Sequence, residues 1–99
     1  MDVSIEVKED TDEVRVHVGG RLDRQALELF QESMGELDLA GRRLVLDITK
    51  MAELDSCGLG MLLLAREMAQ ASAVLIRGAP PEIRHKLEIV NFGSLFEIE

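Results

Sequence analysis

Apolar and polar positions alternate at the start of the chain: Val3, Ile5 and Val7 form one set, Val14, Val16 and Val18 a second, and the charged stretch Lys8 to Asp12 separates them. A period of two puts every second side chain on the same face of a strand, so the pattern predicts a β-hairpin with each strand half buried. His17 falls on the polar side of its strand, as a solvated or surface-paired imidazole without a chemical role. Gly19-Gly20 is then expected to break the strand. Beyond it the period changes, and Leu27, Phe30, Met34 and Leu37 recur at spacings of three and four, which makes one buried helical stripe with Glu28, Gln31, Glu32 and Glu36 turned to water. Asp23 is placed to cap this helix, and Gly35 and Gly41 weaken its tail, so its end is expected near Leu37 or Leu39.

Leu44 to Ile48 is an almost unbroken β-forming run, the pattern of a central strand covered on both faces by helices. Thr49 to Glu53 reads as a connection, and a helix from about Cys57 to Gln70 follows, apolar nearly all round in its first half and therefore mostly buried. Ala73 to Ile76 is a second buried strand, Pro80-Pro81 opens a third helix that runs to about Val90, and Leu95 to Ile98 alternates as a closing strand. On that third helix Arg84, His85 and Lys86 read as a solvated face. The order ββαβαβαβ, with right-handed crossovers in its βαβ units, predicts an α/β fold: a mixed β-sheet, N-terminal hairpin plus parallel βαβ units, packed with about three to four helices, in one domain over residues 1–99.

Composition removes several classes of function. The chain of 99 residues carries a formal charge of −8 and only 3% aromatic residues, so it has neither a basic surface to track phosphates nor a stacking platform for bases, and nucleic acid is not an expected ligand. No apolar run reaches the ~18 residues of a membrane span, and the N-terminus lacks a basic region followed by an apolar stretch, which points to a soluble, cytoplasmic chain without membrane insertion. Cys57 is the only cysteine, and with two distant histidines it offers no metal-ligand spacing. No cofactor or metal is expected.

The chemistry concentrates in Leu54-Asp55-Ser56-Cys57-Gly58-Leu59-Gly60, where a buried strand hands over to a buried helix. A serine on such a turn invites comparison with the nucleophile elbow G-x-S-x-G. Leu54 stands in place of its first glycine, however, and the only histidines lie on a strand and on a distant helix, so no hydrolase constellation forms and no enzyme is expected. No Lys-Ser or Lys-Thr follows the glycines, which removes a phosphate-binding loop. Ser56 has two readings, an ordinary helix N-cap or an exposed acceptor of a phosphate, with Asp55 a further candidate cap. Gly58 and Gly60 each cost a helix up to ~1 kcal/mol against alanine, and bare backbone that lets another protein surface approach would offset that loss. Cys57 reads as an inert small residue.

These residues resemble those of a STAS domain of the bacterial anti-sigma-factor antagonist kind. Asp55-Ser56-Cys57-Gly58-Leu59-Gly60 is similar to that family's D-S-S-G-L-G signature, Gly20-Arg21-Leu22-Asp23 to its G-x-L-D, and Leu44 to Ile48 to its central strand; Cys57 stands where a second serine is frequent. The resemblance implies a phospho-switched antagonist. Its unphosphorylated form binds an anti-sigma-factor serine kinase and releases the sigma factor, phosphorylation of Ser56 abolishes binding, and a serine phosphatase resets the switch. It implies Ser56 as the phosphoacceptor and Asp23, Asp55, Ser56, Gly58 and Leu59 as the partner-binding surface. The alternative it carries is a constitutive adaptor subunit of a membrane transport or sensory complex.

Overall fold

The structure, a computed structural model, describes residues 2–69 and 73–99. Its strands are β1 (Ser4–Glu9), β2 (Glu13–Leu22), β3 (Arg43–Asp47), β4 (Met51–Leu54), β5 (Val74–Arg77) and β6 (Glu97–Ile98), and its helices are α1 (Leu27–Gly35), α2 (Ser56–Ala69) and α3 (Pro81–Ile89). Short 3-10 turns at Arg24–Ala26 and Phe92–Ser94 complete the order. The expected hairpin is present as β1 antiparallel to β2, and β2, β3, β5 and β6 then run parallel in spatial order β1-β2-β3-β5-β6. The fold is therefore the expected α/β arrangement of a mixed sheet and helices.

Strand alternation sorts the sheet into two unlike faces. Val14, Val16 and Val18 of β2, Leu44 and Leu46 of β3, and Val74 and Ile76 of β5 join one buried cluster with Phe30 and Met34 of α1, Met61, Leu62 and Ala65 of α2, and Ile83 and Leu87 of α3. The expectation that helices cover β3 on both faces is incorrect. Val45 and Leu75 point away from that cluster, in a row that runs Lys8, Arg15, Val45, Leu75, Glu97 across the strands. They are buried all the same, beneath long charged side chains such as Arg43, which reaches Glu97 across the intervening β5 at 3.8 Å. In sequence, two shielded apolar residues are indistinguishable from two residues under a helix.

Three further boundaries differ from expectation. Gly19-Gly20 does not break β2: Gly20 adopts φ +80° at a register shift, beyond which β2 continues to Leu22 and exchanges β3 for β4 as its neighbour. The stretch expected as a connection is thus strand β4, which its burial of Met51 and Leu54 around exposed Ala52 and Glu53 hid from any period-two reading. Helix α1 ends at Gly35, although Leu39 beyond it is still buried. Helix α2 buries a single stripe, with Leu63 37% exposed, rather than most of its surface; the expected end at Gln70 lies outside the described residues.

Candidate functional site

Strands β2 and β4 end together. Leu22 and Leu54 are direct neighbours in the parallel register and both are fully buried, so Asp23 and Asp55, 32 positions apart in sequence, leave the sheet side by side at its carboxyl edge. This is the edge at which open parallel sheets present their sites. Asp23 accepts a hydrogen bond from the Gln25 N–H at 3.0 Å and opens the 3-10 turn that leads into α1, as its expected capping role requires.

At the start of α2, Asp55 Oδ1 accepts the Gly58 N–H at 2.8 Å and the Asp55 carbonyl accepts the Leu59 N–H at 2.9 Å. Asp55 is therefore the N-cap. Of the two readings of Ser56, the capping one is not met; the further candidate, Asp55, takes the cap, and Ser56 is the first residue of the helix proper, exposed, with no side-chain hydrogen bond among the described residues. A negative carboxylate at a helix N-terminus is stabilised by the unpaired N–H groups and the helix dipole.

The two glycines have different causes. A side chain at Gly58 would collide with the Leu22 carbonyl and with Leu54, so this residue is bare because the helix start is seated directly on the end of β2. That is an internal reason, and it corrects the expectation that Gly58 exposes backbone to a visitor. Gly60 is exposed and has nothing within 4 Å of where a Cβ would lie, so the expectation of bare, approachable backbone holds there alone. Cys57 and Leu59 are half buried and pack on the core.

An open groove of about 400 Å³ lies beside this turn, walled by Asp23, Glu53, Leu54, Asp55, Glu82 and Lys86. Arg21 also lines it and pairs with Glu53 at 3.1 Å. Lys86 was expected on a solvated face with Arg84 and His85. Arg84, 3.7 Å from Glu88, His85 and Lys86 are all exposed, as expected, yet Lys86 Nζ donates to the Leu54 carbonyl at 2.9 Å and so joins α3 to the site. Sequence reasoning missed this bond because nothing in helical periodicity distinguishes an exposed lysine that ends in water from one whose ammonium reaches a strand end 32 positions away.

Neither histidine lines the groove: His17 stands on the helix-free face of the sheet with Nδ1 3.6 Å from Asp47 Oδ2, the surface pairing expected of it. Burial raises the pKa of Asp47, yet the hydroxyl and N–H of Thr49, at 2.6 and 3.0 Å, with His17 and Arg77 nearby, outweigh it and hold the carboxyl below its ordinary value. Among the described residues no group of three His, Cys, Asp or Glu side chains is placed to hold a metal ion, and no helix is long and apolar enough to cross a membrane.

Comparison with known proteins matches this arrangement to one family. Residues 5–97 match the family described as "Mlab, STAS domain". A STAS-domain-containing protein of Pseudomonas aeruginosa is 35% identical over 91 residues, 90% of each chain, and the anti-sigma-B factor antagonist of Listeria monocytogenes is 30% identical over 109 aligned positions, all of this chain and 90% of that one. In structure, an anti-sigma factor antagonist from Mycobacterium paratuberculosis superposes with a TM-score of 0.85 at 18% identity, over 98% of this chain and 85% of that one. The chain belongs to the STAS domain family. Within it, the protein is anti-sigma-factor-antagonist-like.

Proposed function

We propose that the protein is a phospho-switched anti-sigma-factor antagonist that acts in the cytoplasm by binding rather than by catalysis. Unmodified, it binds an anti-sigma-factor serine kinase and displaces the sigma factor held there; phosphorylated on Ser56, it lets go, and a serine phosphatase restores it. The observation that carries this reading is the division of labour between neighbours: Asp55 caps α2 through the Gly58 N–H at 2.8 Å, which leaves the exposed Ser56 hydroxyl unused by the fold.

In the transfer step the Ser56 Oγ attacks the γ-phosphorus of ATP held by the kinase, the bond from that phosphorus to the bridging oxygen breaks, ADP leaves, and the hydroxyl proton passes to a base on the kinase. The product adds roughly −1.5 to −2 charges at a helix N-terminus, where an anion is favoured by ~0.3–1 kcal/mol, so the fold accepts it. A docked partner does not, because the new charge falls in an interface already carrying Asp23 and Asp55, and a mismatched buried charge there costs about 2–5 kcal/mol. Leu59 and Gly60 complete the surface offered to the kinase, and Gly58 supports it from beneath.

The test is the intact mass of protein purified from its own cytoplasm, with and without phosphatase treatment, followed by fragmentation. A phosphatase-sensitive phosphate on Ser56, with a serine kinase co-purifying with the dephosphorylated form, is the expected result. An unmodified Ser56 under several growth conditions, with a transport or sensory complex co-purifying, would establish the constitutive adaptor instead.

A further inference from the structure

We propose that Lys86 is a positioning residue for the acceptor turn, holding Leu54, Asp55 and Ser56 in the conformation the kinase reads; this rests on the phospho-switch reading of Ser56. The groove beside the turn is lined by Asp23, Glu53, Asp55 and Glu82, and its two cations behave differently. Arg21 pairs with Glu53. Lys86, an exposed residue, has among the described residues no carboxylate within ion-pair distance and directs its ammonium to a backbone carbonyl, that of Leu54, at 2.9 Å, in a partly buried bond.

Leu54 immediately precedes the helix cap. Its backbone orientation sets the direction in which Asp55 leaves β4, and Asp55 fixes the first turn of α2 through Gly58 and Leu59. A charge-assisted bond from α3 to that carbonyl therefore acts on Ser56 through two residues, without touching it. It also couples the turn to α3, an element separated from it in sequence by all of α2 and β5. Ser56 is exposed and lacks a side-chain hydrogen bond among the described residues, so its placement depends on its backbone, and the backbone depends on Asp55 and Lys86.

The experiment compares wild type, Lys86→Met and Lys86→Arg by amide hydrogen exchange and by steady-state phosphorylation with the kinase that co-purifies with the protein. In Lys86→Met the Gly58 and Leu59 amides are expected to exchange at least about tenfold faster while the Leu46 amide in the core changes less than about twofold, because only the turn is loosened. KM for the protein substrate is expected to rise at least about fivefold with kcat held, as for lost binding of a preformed shape. Lys86→Arg should restore both, since a single bond to a carbonyl does not need the compact ammonium. Unchanged exchange at Gly58 and Leu59 would overturn the proposal, as would an equal rise at Leu46, which marks a general strut. Wild type that no kinase phosphorylates would defeat the phospho-switch, while the exchange data would still decide whether Lys86 holds the turn.

Discussion

Leu22 of β2 and Leu54 of β4 lie side by side in parallel register, and both are buried without residual exposure beyond 1%. From that pair the site is assembled: the next residue of each strand is an aspartate, each aspartate caps the turn that follows it, and Gly58 lets the helix start descend onto the Leu22 carbonyl. The serine between them is left outside. On the proposed reading, fold stability and acceptor chemistry are thus assigned to adjacent residues rather than to one.

This separation predicts unequal effects of two neighbouring substitutions. Asp55→Ala removes the cap and should cost about 0.5–2 kcal/mol, whereas Ser56→Ala should stay within ~0.5 kcal/mol of wild type. Urea unfolding followed by far-ultraviolet circular dichroism measures both. A loss of more than ~1 kcal/mol in Ser56→Ala would return the capping role to the serine.

Binding should respond in the opposite sense. Ser56→Ala is expected to keep the affinity of wild type for the kinase while abolishing phosphorylation, and Ser56→Asp to weaken binding at least ~tenfold, which requires only ~1.4 kcal/mol. Calorimetric titration of the three proteins with the captured kinase decides it. Equal affinities would remove charge at this position from the mechanism.

The two glycines of the signature separate in the same manner. Gly58→Ala must displace the Leu22 carbonyl or shift the helix, and overpacking of this kind costs about 1–3 kcal/mol. Gly60→Ala meets no atom within 4 Å and should stabilise the protein by up to ~1 kcal/mol through helix propensity alone. If kinase affinity nevertheless falls in Gly60→Ala, a partner surface lies against that backbone; unchanged affinity places the interface elsewhere.

The hairpin, the helical stripe of α1 and the strand-to-helix turn of the candidate site were legible because each rests on local periodicity or on adjacent residues. Val14, Val16 and Val18 declare a face by alternation, and Asp55 to Gly60 lie together in the chain. What was not legible depends on partners distant in sequence. Strand β4 buries its first and last residues, and only its pairing with Gly20 to Leu22 makes it a strand. The buried Val45 gave β3 the look of a strand under helices on both faces, when charged side chains shield one of them. Which of Asp55 and Ser56 takes the cap follows from a difference in geometry of a single residue step, to which propensity is blind. Lys86 carried no signal at all.

Away from the site, Asp47 provides a test of the electrostatics at the carboxyl end of β3. Its pKa in the folded protein lies below the ordinary 3.8, because the Thr49 bonds, His17 and Arg77 together exceed the upward push of burial. At acid pH the unfolded chain therefore binds more protons at this residue than the folded one. The stabilisation is fully present above the unfolded value and is lost as pH falls through the lower, folded value. Stability should accordingly rise with pH across the region below about pH 4, and Asp47→Asn should flatten that part of the profile. The Thr49 hydroxyl is the strongest of the lowering influences, so Thr49→Val should move the Asp47 carboxyl upward by more than Arg77→Met does. Carbon-13 titration of the carboxyl in the three proteins gives the order directly. The reverse order would mean that charge, rather than hydrogen bonding, governs this turn.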